Sequence, residues 1–185
     1  NNDLILFLSR LHHKKGLDYL IPALSKLAHH RFTFVLAGSG SPEYEAEIES
    51  LLETNNIRNR THLAGFVQGE TKDLLIQGSD LFVLTSHSEN FGVAVLEALA
   101  VGLPVLVTPG VALASVVEEH KLGYVTELDV SAIASTIENH LTNPQQAKEM
   151  GTRARQLIFE EYTWDSIAKK LIQVYTIIIQ NQPIS

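Results

Sequence analysis

Residues 80–108 read DLFVLTSHSENFGVAVLEALAVGLPVLVT and contain two apolar strands with a helix between them. The predicted strands are 80–85 (DLFVLT) and 104–108 (PVLVT), whose apolar runs are typical of strands buried on both faces of a parallel sheet. Residues 91–101 are rich in alanine and leucine and predict a helix. A strand, a crossover helix and a second strand form a βαβ unit, whose crossover is right-handed in nearly every known case.

The same alternation extends in both directions from this unit. The other predicted strands are 4–8, 32–37, 61–63 and 124–126, and the helices predicted among them are 17–30, 43–53 and 72–77. From residue 130 onward only helical patterns follow, at 132–141, 144–159 and 164–179. We therefore predict an α/β fold, a Rossmann-like doubly wound parallel sheet of about six strands with helices on both faces and a helical C-terminus.

Length and composition exclude several kinds of site and partner before any motif is considered. The chain has 185 residues with 21 acidic and 14 basic side chains, a formal net charge of −7 and no cysteine. One domain spanning residues 1–185 is expected, and disulfides and thiolate metal sites are excluded. The negative charge argues against nucleic acid or anionic lipid as a general partner, and no apolar run approaches the ~20 residues of a membrane span. Because residue 1 is asparagine and no signal-like stretch follows, we expect the chain to begin inside a longer polypeptide.

Ligands of an open parallel sheet bind beyond the carboxyl ends of its strands, so the loops after the strands are candidate sites. The first loop, SRLHHKKG at 9–16, gathers Arg10, Lys14 and Lys15 with two histidines just before a helix. A guanidinium, an ammonium and free helix amides together suit a phosphate-like anion. A solvated basic turn remains the alternative interpretation of the same residues.

Two loops with glycine follow the next strands. Gly38-Ser39-Gly40 resembles the start of a dinucleotide loop, but Glu43 stands where a third glycine is required. The sequence predicts a tight loop here and leaves open whether it lies over a nucleotide. Phe66 and Val67 follow the third strand, where their main chain is placed to read the edge of a base.

The loop after strand 80–85 and the helix behind it carry two glutamates eight residues apart, Glu89 and Glu97. Glu97 lies among apolar neighbours, where a carboxylate without a partner is strongly unfavourable. Helical side chains lean toward the N-terminus, so Glu97 should project toward the mouth of the sheet, while Gly92 leaves the first amides open to an anion. This predicts a phosphate at the helix end, with hydroxyl groups bound by Glu97 and Glu89. In the alternative, Glu97 caps a buried backbone group and Glu89 is a solvated loop acid.

Together these motifs resemble the C-terminal, nucleotide-sugar-binding half of a GT-B glycosyltransferase of the retaining family 4 type (glycosyl transferases group 1). The match consists of S-R-L-x-x-x-K-G at 9–16, L-A-G-S-G at 36–40, L-A-G-F-V at 63–67, E-x7-E at 89–97, G-L-P-V-L-V-T at 102–108 and Y-T-W-x-x-I-A-x-x-L-x-x-V-Y at 162–175. It covers nearly the whole chain in order. E-x7-E alone is a loose pattern, but the set as a whole is specific.

The resemblance implies a role for each matching residue. Arg10 and Lys15 would bind the donor diphosphate and stabilise the leaving group, and Glu89 would bind hydroxyls of the transferred sugar. A larger set would bind the rest of the donor: Gly38, Gly40, Phe66, Val67, Phe91, Gly92, Val93 and Glu97.

Within the larger set, Glu97 would accept hydrogen bonds from the ribose hydroxyls and the backbone around Val67 would read the base. The amides of Phe91, Gly92 and Val93 would hold sugar and phosphate oxygens. No D-x-D sequence occurs, and the family implies neither a metal nor another cofactor.

The chain departs from the family pattern in two places. Thr85 stands where many relatives have a proline before the serine of the motif. Residues 108–114 (TPGVALA) replace the usual Gly-Gly and glutamate near the sugar, which leaves the donor sugar open. Among the histidines, His87 is expected to be a spacer or packing residue rather than a general base, and His12 and His13 to line or flank the phosphate loop.

Three functions are compatible with these residues. The leading one is retaining transfer of a hexose-type sugar from a nucleoside diphosphate sugar to an unknown acceptor, with catalysis requiring an N-terminal domain outside this chain. A non-catalytic nucleotide-sugar sensor or scaffold of the same fold is the alternative, and the broken glycine pattern disfavours a nicotinamide oxidoreductase.

The apolar end of the last helix, 175–179, is expected to pack against the missing domain or a partner. We expect the protein in the cytoplasm or peripherally at the inner membrane face.

Overall fold

The computed structural model describes residues 2–180, which form one parallel six-stranded sheet with helices on both faces. The strands lie in the order β3-β2-β1-β4-β5-β6. Their bounds are β1 Asp3–Leu8, β2 Phe32–Ala37, β3 Thr61–Gly65, β4 Leu81–Leu84, β5 Val105–Val107 and β6 Gly123–Val125. The helices are α1 Leu17–Lys26, α2 Pro42–Thr54, α3 Gly69–Gln77, α4 Val93–Val101, α5 Ala114–Glu119, α6 Val130–Thr142, α7 Pro144–Glu161 and α8 Trp164–Ile179. The doubly wound fold predicted from the sequence is confirmed.

The core is centred on the four inner strands, whose side chains are buried on both faces of the sheet. Phe7, Phe34 and Phe82 are fully buried, and every residue of β4 and β5 is buried. Helices cover both faces of the sheet, so side chains that point toward either face are shielded from water. This explains why the sequences of these strands are mainly apolar. The sheet is therefore a rigid base for the loops at its carboxyl edge.

The structure differs most from the sequence prediction at two helices. The first helix, predicted to reach residue 30, ends at Lys26. Residues 27–29 form a turn, and Arg60 donates hydrogen bonds to the carbonyl groups of Ala28 and His30. Helix α5 was not predicted at all. With six residues it is too short for an apolar period to stand out.

The strand order reverses next to β1, which pairs with β2 on one side and with β4 on the other. The connections after β1 and β4 therefore leave the sheet in opposite directions and open a crevice between them. Crevices at such a switch point are where doubly wound sheets bind their ligands. The fold thus brings the 9–16 loop and the 85–92 loop to the same place.

Helix α8 carries an apolar surface that the rest of the described chain does not cover. None of its 16 residues is buried. The large exposed apolar side chains, called here the α8 apolar surface, are Trp164, Leu171, Ile172, Val174, Tyr175, Ile178 and Ile179. Among residues 2–180 there is no helix of sufficient length and apolar character to cross a membrane.

A buried histidine lies near the amino ends of the strands, whereas the crevice lies at their carboxyl ends. His140 of α6 packs edge-on against Tyr124 with the ring centroids 5.8 Å apart, and its Nδ1 has no hydrogen-bond partner within residues 2–180. Burial lowers the pKa of His140, and the nearby carboxylates of Asp3 and Asp80 only partly offset that effect. The neutral imidazole is therefore the form that the folded chain accommodates.

We predict that acid weakens the folded chain through His140. Its pKa is lowered on folding, so below the unfolded value of about 6.5 the unfolded chain binds a proton that the folded chain excludes. Between pH 7.5 and 5.5 the unfolding free energy should fall more in the natural chain than in His140→Phe. Denaturant titrations at both pH values measure this, with exposed His62→Gln as the control. Equal losses in the natural chain and His140→Phe would contradict the prediction.

Candidate functional site

The loop after β1 is a short helical turn that sets the direction of its basic side chains. Residues His13–Lys15 form a single 3-10 turn, and the His12 Nδ1 accepts a hydrogen bond from the Lys14 N–H at 3.1 Å. Gly16 closes the turn with φ 65°, a left-handed conformation that a glycine adopts without steric cost. The basic residues are thus held on an ordered turn directly before α1.

This turn is docked on the end of β4 by main-chain contacts. A Cβ added to Gly16 would lie 2.0 Å from the carbonyl oxygen of Thr85, so no other residue fits here. The buried Thr85 hydroxyl lies within hydrogen-bond distance of the carbonyl oxygens of Lys15 (3.2 Å) and Gly16 (3.1 Å), and the His87 N–H donates to the Lys14 carbonyl at 2.8 Å. Thr85, one of the departures from the family pattern, therefore has a definite structural role that a proline could not fill.

Docking of the two loops brings Lys15 and Glu89 into an ion pair. The Lys15 Nζ contacts the Glu89 Oε2, and the two side chains are only 12% and 22% exposed. The backbone of Glu89 is fixed as well, because its N–H donates to the Gly110 carbonyl at 2.9 Å and its carbonyl accepts from the Ala112 N–H at 3.0 Å. The segment that departs from the family at residues 108–114 thus supports Glu89.

The loop after β2 needs its glycines because another part of the main chain lies against it. A Cβ on Gly38 would be 1.9 Å from the Ser9 carbonyl oxygen, and one on Gly40 would be 2.6 Å from the Leu11 carbonyl oxygen. The Leu11 N–H donates to the Ser39 carbonyl at 2.9 Å. The tight loop predicted from the sequence is therefore explained by its packing against residues 9–11.

Glu97 has a partner that the sequence did not reveal. Lys72 of α3 donates from its Nζ to the Glu97 Oε1 at 2.6 Å, and the two side chains are 27% and 36% exposed. Because the pair is accessible and its ammonium has further donors, it remains open to additional hydrogen bonds. Lys72 lies 25 residues from Glu97 in the sequence, so no local motif signals the contact.

Two cavities meet at these side chains. The larger has a volume of about 760 Å³ and is lined by residues that include Arg10, His12, Gly38, Gly40, Phe66, Val67, Lys72, Val93 and Glu97. The smaller has about 210 Å³ and is lined by Arg10, His12, Lys14, Lys15, Ser88, Glu89 and Asn90. Arg10 and His12 line both, so the two cavities are adjacent and meet at these two residues.

The structure brings together all but two of the site residues predicted from the sequence. The exceptions, Phe91 and Gly92, line neither cavity. They form the turn between Asn90, which lines the smaller cavity, and the start of α4. Gly92 is the N-cap of α4 with φ 82°, so no side chain covers the helix end and its first amides.

The remaining loop histidines pack against other aromatic rings. His87 lies edge-on to Tyr19 with the centroids 5.7 Å apart, as a packing residue would. His13 lies 4.3 Å from the ring of Tyr44, outside both cavities. Burial, together with the charges of Asp18 and Glu47, raises the pKa of Tyr44 to about 12, so this phenol stays protonated.

The fold has close counterparts among solved structures. The chain superimposes on sucrose-phosphate synthase from Thermosynechococcus elongatus with a TM-score of 0.86, covering 98% of this chain and 47% of that one at 23% identity. It matches HepE from Anabaena, solved in complex with UDP and glucose, with a TM-score of 0.86 over 95% of this chain and 48% of that one, at 23% identity. At these identities the likeness shows the GT-B fold alone.

Sequence comparison extends the likeness from fold to family. The chain is 33% identical over 179 residues to an uncharacterized glycosyltransferase of Methanocaldococcus jannaschii, MJ1607, covering 96% of this chain and 45% of that protein. It therefore spans less than half of the length of this relative. Residues 1–157 match the family described as glycosyl transferases group 1. The chain belongs to the group 1 family of glycosyl transferases.

Proposed function

We propose that this chain is the donor-binding part of a retaining glycosyltransferase that moves a hexose-type sugar from a nucleoside diphosphate sugar to an acceptor. The observation that supports it most is that two cavities of different chemistry join at Arg10 and His12. A nucleoside would fit the larger cavity, which has mainly apolar walls and one accessible ion pair. A sugar would fit the smaller cavity, which is lined by charged and polar side chains. The diphosphate then lies at the junction.

In the larger cavity the nucleoside would be recognised by main-chain groups and by Glu97. The backbone at Phe66 and Val67 would contact the base, and the loop at Gly38 and Gly40 would form one wall. The Glu97 carboxylate would accept hydrogen bonds from the ribose hydroxyls. Lys72 would hold that carboxylate in position through the 2.6 Å hydrogen bond from its Nζ to the Glu97 Oε1.

At the junction, positive groups would stabilise the diphosphate as it leaves. Arg10 offers a planar fork of donors for phosphate oxygens, and Lys15 adds a point charge. The amides of Phe91 and Gly92, which precede α4, and of Val93, its first residue, would bind further oxygens of the donor. Charge develops on the leaving group in the transition state, so fixed cations here accelerate the reaction. The proposal requires no metal ion.

In the smaller cavity Glu89 would bind hydroxyl groups of the transferred sugar. Its carboxylate is held beside the Lys15 ammonium and its backbone is fixed by residues 110–112. Glu89 would therefore set the position of the sugar relative to the diphosphate. Retention of the anomeric configuration would follow if the acceptor attacks the face from which the diphosphate leaves.

The acceptor would be bound by a part of the protein outside this chain. Since the chain spans less than half of the length of relatives such as MJ1607, the full-length protein would contribute a second domain. The α8 apolar surface would pack against that domain, because no described residue covers it. This domain would complete the cleft opposite the two cavities.

We predict that this chain binds nucleoside diphosphates in preference to dinucleotides. Calorimetric titration with UDP, ADP, GDP and NAD compares them directly, because the crevice offers a phosphate junction but no complete dinucleotide loop. One of the three diphosphates should bind at least tenfold more tightly than NAD. Tight binding of NAD without binding of any diphosphate would overturn the proposal in favour of an oxidoreductase.

We predict that Glu97→Ala weakens binding of the preferred nucleoside diphosphate about ten- to a hundred-fold, because a hydrogen bond to a charged group contributes about 1.5–3 kcal/mol. The same variant should bind the 2′,3′-dideoxy form of that nucleotide about as well as the natural chain does, since the lost contact is to the ribose. Exposed Glu119→Ala serves as the control for charge. Unchanged affinity in a folded Glu97→Ala chain would remove Glu97 from the site.

We predict that Arg10→Ala and Lys15→Ala each weaken binding of the diphosphate by at least tenfold and binding of the corresponding nucleoside much less. The reason is that both cations would contact the phosphates and not the base or ribose. Arg31→Ala removes the same charge from an exposed position outside both cavities and should leave both affinities unchanged. Equal losses for nucleoside and diphosphate would contradict the assignment and indicate a damaged fold.

A further inference from the structure

Two adjacent histidines and one glutamate converge on the surface away from the crevice. His29 and His30 lie in the turn after α1, and Glu138 lies on α6. The Glu138 Oε1 is 3.0 Å from the His29 Nε2 and 3.2 Å from the His30 Nε2. One ligand atom from each residue lies within 4.8 Å of the other two. Two imidazole nitrogens therefore point at the same carboxylate oxygen.

The turn that carries the histidines is held in place by its own backbone contacts. The His30 N–H donates to the Leu27 carbonyl at 2.9 Å, which closes the turn. The Arg60 guanidinium donates to the His30 carbonyl at 3.0 Å and lies 4.9 Å from the centroid of the Phe32 ring. The two imidazoles thus project from an ordered backbone and lose little freedom when they bind a common partner.

The glutamate is placed by the packing of α6 on α1. Next to the cluster, the Lys26 Nζ donates to the Ser131 Oγ at 2.8 Å, which ties the end of α1 to the start of α6. His30 is 24% exposed, whereas His29 and Glu138 are 60% and 46% exposed. The cluster is therefore preformed by the fold and open to solvent on one side.

The distances suit a shared cation as well as they suit hydrogen bonds. Zinc binds imidazole nitrogen and carboxylate oxygen at about 2.0–2.2 Å, which in a tetrahedral site puts neighbouring ligand atoms about 3.3–3.5 Å apart. The two measured separations, 3.0 and 3.2 Å, need only a small expansion to admit the ion.

We propose that His29, His30 and Glu138 form a surface site for Zn²⁺ or a similar borderline divalent cation, with water in the remaining coordination position. Two imidazoles and one carboxylate form a known three-residue zinc ligand set. Mg²⁺ and Ca²⁺ are disfavoured because they prefer oxygen ligands. None of the three residues lines either cavity of the candidate site, so this cation would not contact the donor. It would cross-link the end of α1 to α6.

The test is a Zn²⁺ titration of the chain, purified without a histidine tag and treated with chelator, followed by calorimetry and thermal unfolding. We expect one equivalent to bind and the melting temperature to rise. His29 and Glu138 are 109 residues apart, so the unfolded chain does not present the complete site and binding favours the folded state. Mg²⁺ at the same concentration should produce neither effect. Absence of saturable Zn²⁺ binding, or an equal response to Mg²⁺, would overturn the proposal.

Variants separate this site from adventitious binding to the other histidines. Glu138→Gln and His30→Gln should each weaken Zn²⁺ binding at least tenfold and abolish the rise in melting temperature. Exposed His120→Gln, outside the cluster, should behave as the natural chain does. Melting curves recorded with excess chelator establish that each variant folds. A rise in melting temperature that persists undiminished in both Glu138→Gln and His30→Gln would refute the assignment.

Discussion

The contact between Gly16 and the carbonyl group of Thr85 is the constraint on which the site depends. The main chains of the two loops approach so closely there that a single added methyl group would lie 2.0 Å from the carbonyl oxygen. The Thr85 hydroxyl and the His87 N–H then bind the carbonyl groups of the basic turn. As a result the Lys15 ammonium reaches Glu89, although 74 residues separate them in the sequence.

The charges of the site are arranged as two ion pairs with a guanidinium between them. Lys15 pairs with Glu89 at the smaller cavity and Lys72 pairs with Glu97 at the larger. Among the ion pairs of residues 2–180, none includes Arg10. In this acidic chain, Arg10 is therefore a positively charged residue without an ion-pair partner among the described residues. It lies at the junction of the cavities, where its charge attracts an anion most strongly. Each glutamate, by contrast, is paired with a nearby ammonium, and its side chain is still partly accessible.

Most of the sheet and the predicted positions of the loops followed from the sequence, because apolar runs and their spacing are local signals. The segments 4–8 and 81–84 are examples, since each reads as an uninterrupted apolar run and lies in an inner strand of the sheet. Lys72 was missed because its importance lies in a contact across 25 residues between two helices. The role of Thr85 was missed for a similar reason, since the carbonyl groups that it binds belong to another strand's loop. The glycines at 38 and 40 were correctly linked to a tight loop, but only the structure identifies the neighbouring main chain that requires them.

The strand order has a consequence for how the site forms during folding. The pairing of β1 with β4 joins residues such as Ile5 and Leu81, which are 76 positions apart in the chain. Closing so large a loop is entropically costly, and contacts of high sequence separation slow the search for the native state. The crevice does not exist until this pairing is complete, so a chain emerging from the ribosome acquires it only after β4 and its following loop have been synthesised. Recovery of the proposed nucleotide binding during refolding would therefore report the long-range closure of the sheet and not the formation of its helices.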